Sequence, residues 1–438
     1  MDNSMPDCQL RRLLKFLETL QTNESEIAWR RLSKLSSIVR CRPPPCSGKK
    51  GVIFWMDVLC IPVGNENEHL RTSAIARMTP TYNGADNVLM LDSELLETSS
   101  HGTPVEEIYA RVVKSAWQGR YWTLQEGLLA PKLFVQTHDR AFRTASKRQV
   151  LDSQKYACYD HKAIVASICD ATYRDAVGHG HSLQNAHIKY RNKQFIRVWN
   201  DLLGRSTTKF EDVHCILANL LDFKAAEILR LPPNIRMKAM LCAQEKLPLE
   251  LICGQSPRIE SGVGSDRWVP AYPGGYPIEY WNEWDYDRNS ISVSPNEGLW
   301  FSSSDTVKVI WLDAGIPRLP RFCVETEGRK KWWIHTHTDH SVPVFNESID
   351  YPTCLILNDK IDCVGSHGYC GSGARLSMAR LHDDGSLRIR AEFDYSFSFG
   401  LWSWVQTDPA FENVPVVSGR RLQSASILIE TGKFLISV

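Results

Sequence analysis

Leu10, Leu13, Leu14, Leu17 and Leu20 recur at spacings of three and four, with Arg11, Arg12 and Lys15 between them. That period predicts helix over residues 8–39, with a second helical stretch from Ile27 to Val39. Consecutive prolines in Cys41–Lys50 end it, because proline cannot continue the helical hydrogen-bond pattern. Val52–Leu59 is almost wholly apolar and predicts a short strand buried on both faces. A helix follows over Leu70–Tyr82, with Ile75, Met78 and Tyr82 on one face. Asn87–Asp92 predicts a second strand, Val105–Trp117 and Tyr121–Ala130 helices, and Lys132–Gln136 a third strand after the stop at Pro131. Strands alternating with helices imply an α/β layer built on a parallel sheet.

The pattern turns mostly helical from about Lys147 to Cys253, with examples at His161–Thr172 and Asp212–Leu229 and a glycine–histidine loop at Gly178–His181. Beyond Gly254 short alternating runs dominate, and nine of the 14 tryptophans lie past residue 265. Leu387–Phe399 alternates apolar and polar without a break, the mark of a strand with one face in water. Three regions are expected: 1–145 as an α/β domain, 146–254 as a helical connector and 255–438 as a β-rich domain.

The 438 residues carry 51 basic and 50 acidic side chains, a net charge of +1. Such a balance argues against nucleic-acid binding through a global basic excess. A hydrophobic fraction of 43% allows a sizeable core. No apolar run is long enough to span a membrane, and the opening residues show no apolar signal segment. The 13 cysteines include no CxxC pair, so they are read as thiols of a cytoplasmic protein.

Three ordered blocks are more specific. Phe54–Ile61, reading FWMDVLCI, resembles the "WIDxLCI" block of the fungal heterokaryon-incompatibility (HET) domain. Arg71–Ala85 is similar to that family's second block, and Arg120–Ala130, reading RYWTLQEGLLA, to its third. The likeness covers residues 3–140 and continues weakly through Gly204–Asp212, similar to a polar block in some members. Asn3–Leu10 resembles a segment that in many members follows an initial strand ending in "SHxW", so the comparison implies an incomplete copy lacking that strand. The resemblance implies a TIR-like, flavodoxin-type fold and a role in self/non-self recognition, ending in growth arrest or cell death through protein assembly. It implies protein partners and a homo-oligomer, without nucleic acid or membrane.

Glu126 is the sharpest chemical candidate. Trp122–Glu126 looks like the "WCLxEL" helix of TIR domains, whose glutamate supports cleavage of the nicotinamide–ribose bond of NAD⁺. A carboxylate suits that bond, which breaks through an oxocarbenium-like transition state. The alternative is a solvated or structural glutamate beside core side chains at Trp122, Leu128 and Leu129. Trp122, one turn earlier, would pack against a base or ring. Asp57, expected at the C-terminal end of a strand, would face a ligand or cap the next turn. Arg71 would pair with Asp57, with a phosphate or in a surface ion pair. Cys60 has no neighbouring base in sequence to activate it.

His335-Thr-His-Thr-Asp-His340 spells HxHxDH, and on a strand His335, His337 and Asp339 would share a face. Only 98 residues follow His340, and Trp332–His337 also reads as an alternating strand, so no metal site is assigned and a metal-dependent hydrolase is the weakest alternative. Gly365–Gly373 lacks phosphate-loop spacing and reads as a loop. The tryptophan-rich region reads as β-core packing. The leading expectation is a non-enzymatic recognition module with no required cofactor. The second is an NAD⁺ glycohydrolase using Glu126, with NAD⁺ as substrate.

Overall fold

A computed structural model describes residues 5–20, 53–143, 188–254, 256–259, 266–275, 278, 290–294, 298–302, 307–312, 321–326, 330–336, 353–358, 371–381, 388–401, 416–422 and 426–430. The chain is mixed α/β and divides into two compact units, Met1–Asn185 with Arg205–Ala226, and Ala186–Gly204 with Glu227–Val438. The expected helices at 27–39 and His161–Thr172, and the loop at Gly178–His181, fall outside the described residues.

In the first unit a helix covers residues 7–20 (α1). It is followed by Asp57–Cys60 (α2), Glu68–Ala76 (α3), Met78–Gly84 (α4), strand Val88–Met90 (β1), Ser93–Glu97 (α5), Val105–Lys114 (α6), Tyr121–Leu129 (α7), Leu133–Gln136 (β2) and Ala141–Arg143 (β3). β1 and β2 run parallel, pairing Val88 with Leu133 and Met90 with Val135, and β3 lies antiparallel on β2. Alternation sends the two faces of this small sheet to different partners. Val88, Met90, Leu133 and Val135 pack with Leu95, Val112, Trp117 and Ala130. Leu89 and Phe134 pack with Leu20 and Ala141. All four residues of β2 are buried, as a strand covered on both faces requires.

Of the strand expected over Val52–Leu59, the described residues 53–59 form none. Residues 53–56 have no regular structure and Asp57–Cys60 forms a single helical turn. Asp57 Oδ1 accepts the Val58 N–H at 2.7 Å, and the Cys60 and Ile61 N–H groups bond back to Met56 and Asp57 carbonyls. These local bonds satisfy groups that a sheet ladder would have used. Among the described residues of the first unit the parallel arrangement is therefore one pair, β1 with β2, rather than three strands. The helix expected over Leu70–Tyr82 is broken at Arg77 into α3 and α4.

The second unit begins with Ile188–Leu202 (α8). The chain then contributes Glu211–Leu220 (α9) to the first unit and crosses back within Ala225–Arg230 (α10). The helix expected over Asp212–Leu229 is thus two. Pro233–Cys242 (α11), Lys246–Pro248 (β4) and Glu250–Cys253 (α12) follow. The remaining strands are Ser290–Ser294 (β5), Gly298–Ser302 (β6), Val307–Leu312 (β7), Arg321–Thr326 (β8), Lys330–Thr336 (β9), Thr353–Asn358 (β10), Gly371–Leu381 (β11), Arg388–Leu401 (β12), Val416–Leu422 (β13) and Ser426–Glu430 (β14).

Seven of these close on themselves. The ring runs β7–β10–β11–β12–β9–β8–β13 and back to β7. β12 makes closure possible by its length: Phe397–Leu401 pairs with β9, while Arg388–Ala391 pairs with β14 and leads to β6, β5 and β4. Closure removes the free edges that an open sheet presents. Ile310, Leu312, Phe322, Val324, Trp332, Ile334, Leu355 and Leu357 form one buried cluster, taking alternate positions along four ring strands. Gly419 leaves room for it, since a β-carbon there would lie 2.6 Å from Ile310 and 2.7 Å from Leu312. Trp268, Trp311, Trp332 and Trp333 are buried, as the reading of core packing expected.

Two polar devices sit in this unit. Lys238 Nζ, almost wholly buried, pairs with Asp266 at 2.5 Å. Arg258 donates to the carbonyls of Leu251, Ile252, Gly254 and Trp268, and burial lowers its pKa to about 10. The described cysteines are free thiols, and burial pushes those of Cys323 and Cys354 up to about 11 and about 12. No helix among the described residues is long and apolar enough to cross a membrane.

Candidate functional site

Helix α7 carries the residues with the most chemical potential. It starts after Arg120, where residues 119–121 bond to a downstream strand-like segment: Tyr121 N–H donates to Ser206 O at 3.0 Å and Ser206 N–H to Gly119 O at 2.7 Å. Arg205 Nη1 reaches the Arg120 carbonyl at 3.0 Å. Trp122 Nε1 donates to Asp212 Oδ2 at 2.9 Å, and Thr207 Oγ1 donates to the same oxygen at 3.1 Å. The third sequence block and the polar Arg205–Asp212 segment are thus joined side by side. Deeper in the same contact, Asn219 Nδ2 donates to Gln125 Oε1 at 3.3 Å, both residues being buried.

Glu126 lies one turn past Trp122, but its partner is a different tryptophan. Trp117 Nε1 donates to Glu126 Oε2 at 3.1 Å. Trp117 is held at its backbone too: its N–H donates to Asp92 Oδ2 at 3.2 Å, and its carbonyl accepts from Arg120 N–H at 3.3 Å and from the Thr123 hydroxyl. Asp92 meanwhile caps α5 through Oδ1, accepting from Glu94 and Leu95 N–H groups. One buried carboxylate therefore fixes a helix start and the loop that carries the indole.

Burial raises the Glu126 pKa above the ordinary glutamate value; the indole N–H opposes the rise, the Asp57 charge adds to it and Arg120 opposes it. Tyr82, buried on α4, is likewise raised by burial and then by the charges of Glu126 and Asp57, with Arg120 acting against them. Trp55 packs edge-on against Tyr82, ring centres 5.4 Å apart. Glu126, Asp57, Arg120 and Tyr82 thus share one electrostatic neighbourhood drawn from α2, α4 and α7. A partly desolvated carboxylate with a fixed orientation can serve as a general acid or stabilise a developing cation.

The expected residues fare differently. Asp57 stands in the first turn of α2, not at a strand end, and is exposed; its charge is still felt at Glu126. Arg71 forms no ion pair among the described residues. Its Nε and Nη2 donate to the carbonyls of Pro62 and Gly64 at 3.2 and 3.0 Å, pinning the loop after α2. The Trp122 indole N–H is committed to Asp212. Cys60 ends α2 as an exposed thiol. Trp117, Tyr82, Arg120 and Asp92 were not singled out from sequence as site residues. An Asp followed by Ser-Glu-Leu-Leu carries the signal of a helix cap at position 92, but nothing local marks the indole of Trp117 as the partner of a residue beyond the next turn.

His335 lies on β9, opposite Arg321 and Ser398, while His337, Asp339 and His340 fall outside the described residues. Among the described residues no group of three His, Cys, Asp or Glu is placed to hold a metal ion. Gly371–Gly373, expected in a loop, begin β11 instead; residues 365–370 lie outside the described set. Comparison of the chain with known protein families, characterised proteins and solved structures finds no match.

Proposed function

We propose that the chain is a heterokaryon-incompatibility-type recognition module, with a TIR-like α/β first unit, that promotes growth arrest or death of the cell through protein assembly. The observation that carries this reading is the ordered set of three blocks at Phe54–Ile61, Arg71–Ala85 and Arg120–Ala130. The docking of Arg205–Asp212 onto the third block supports it, because segments alike in sequence to one family pack together here. Partners are other proteins, including further copies of the chain, in the cytoplasm. The test is inducible expression of the full chain in a filamentous fungus. Growth arrest that persists in Glu126→Gln supports assembly; unaffected growth at matched protein levels overturns the proposal.

A second reading has its own observation. Glu126 is a partly desolvated carboxylate held by an indole N–H beside Asp57, Arg120 and Tyr82, which suits stabilisation of an oxocarbenium-like state in NAD⁺ cleavage. Nicotinamide release by the chain that falls in Glu126→Gln supports it. Equal release from both proteins removes it.

A further inference from the structure

We propose that Trp117 is the positioning residue of the Glu126 carboxylate, aiming one oxygen and leaving the other to act. The inference rests on the reading of Glu126 as the acting group, and adds to it a residue outside the resembling helix. Four observations converge on the indole. Its N–H takes Glu126 Oε2 at 3.1 Å, and no hydrogen bond reaches Oε1 among the described residues. Its backbone is fixed at both ends, by Asp92 on the N–H and by Arg120 N–H and the Thr123 hydroxyl on the carbonyl. The side chain is only 9% exposed, packed on the β1–β2 sheet face. Its outer ring edge lies against Gly127, where a β-carbon would come within 3.1 Å of the ring. The residue after Glu126 is thus the one whose lack of a side chain lets the indole lie close to α7.

A group held this way cannot swing with its own side chain. The carboxylate therefore inherits its direction from the loop between α6 and α7 rather than from helix α7 alone. The donor also favours the ionised form, since an N–H bond to a carboxylate is stronger than one to a neutral acid. The other titratable groups near Glu126 are Asp57 from α2, the neutral Tyr82 from α4 and Arg120 at the start of α7. On α9, packed on the same helix, Asp212 is engaged with Trp122 and His214 is buried.

The experiment uses the full chain labelled with ¹⁵N at the tryptophan indoles, with NAD⁺ as the probe in parallel. The Trp117 resonance, identified by its loss in Trp117→Phe, is expected to titrate with pH in wild type and to stop titrating in Glu126→Gln. Loss of a hydrogen bond to a charged acceptor is expected to move the acid limb of nicotinamide release up by about one pH unit in Trp117→Phe, about tenfold less rate on the acid side with the plateau kept. Gly127→Ala, which crowds the same ring, moves the limb in the same direction and serves if Trp117→Phe does not fold. An indole resonance that ignores pH, or activity lost equally at every pH, overturns the proposal. A titrating indole without any nicotinamide release supports the coupling while removing the enzyme reading.

Discussion

The two units solve burial in opposite ways. The barrel of the second unit is filled mainly by Ile310, Phe322, Trp332, Leu355 and their apolar neighbours, with Thr326 and Thr353 as buried polar side chains on two of its strands and Lys308 over the Trp332 ring. Its backbone groups are satisfied by a ladder that returns to its own start. The described residues of the first unit include three short strands, and its helices α2 to α7 run from four to ten residues. Helices of that length do not hold themselves together in water. Buried and half-buried polar side chains link them instead: Asp92 to α5 and Trp117, Trp122 to Asp212, Asn219 to Gln125, and Trp117 to Glu126. The difference leaves a partly desolvated carboxylate, Glu126, where polar side chains already join short elements.

The contrast can be broken most sharply at the barrel. Phe322→Ala is expected to cost about 3–5 kcal/mol, through lost burial and a cavity the closed ring cannot collapse. Urea unfolding measures it, and a loss below about 1 kcal/mol would mean the ring has no single packed interior. Asp92→Ala comes next, at about 2 kcal/mol, because it removes a helix cap and orphans the Trp117 N–H together. Trp122→Phe is smaller, about 1.5 kcal/mol, and a double-mutant cycle with Asp212→Ala should show that the two losses do not add.

The subtlest effects are in pH. Burial raises the Glu126 pKa, so the folded chain keeps that proton to higher pH than the unfolded chain does. Its contribution is intact below the ordinary glutamate value and is lost as pH rises through the folded one. Glu126→Gln should therefore gain melting temperature over wild type as pH increases. Asp139 behaves oppositely. Burial tends to raise its carboxyl, but the Ser100 N–H and hydroxyl and the Thr137 hydroxyl together hold it below the ordinary range. Its contribution is present above the ordinary aspartate value and fades as pH falls through the lowered one. Asp139→Asn should be less stable at neutral pH and converge with wild type in acid.

Much of the fold was readable from periodicity. Val88–Met90, Leu133–Gln136, Val105–Lys114 and Tyr121–Leu129 all stand within the predicted spans, because burial on defined faces leaves a repeating apolar pattern. Val52–Leu59 misled for a physical reason. An apolar run shows that a segment avoids water, not which hydrogen bonds it makes, and Asp57 supplies a local acceptor that a run of hydrophobic residues hides. Ring closure was equally invisible, since it depends on which strands meet and not on the pattern within each. At the site, Glu126 could be picked out by its helix, but its tryptophan partner could not. Trp122 has the expected helical spacing and bonds elsewhere, whereas Trp117 reaches Glu126 only because the chain folds back around Gly119.

The most direct test is the titration of the Glu126 carboxyl carbon in chain labelled with ¹³C-glutamate, assigned by its loss in Glu126→Gln. A midpoint above that of ordinary glutamate, rising further in Trp117→Phe, is the expected result. A midpoint at or below the ordinary value, unchanged by that substitution, would contradict it.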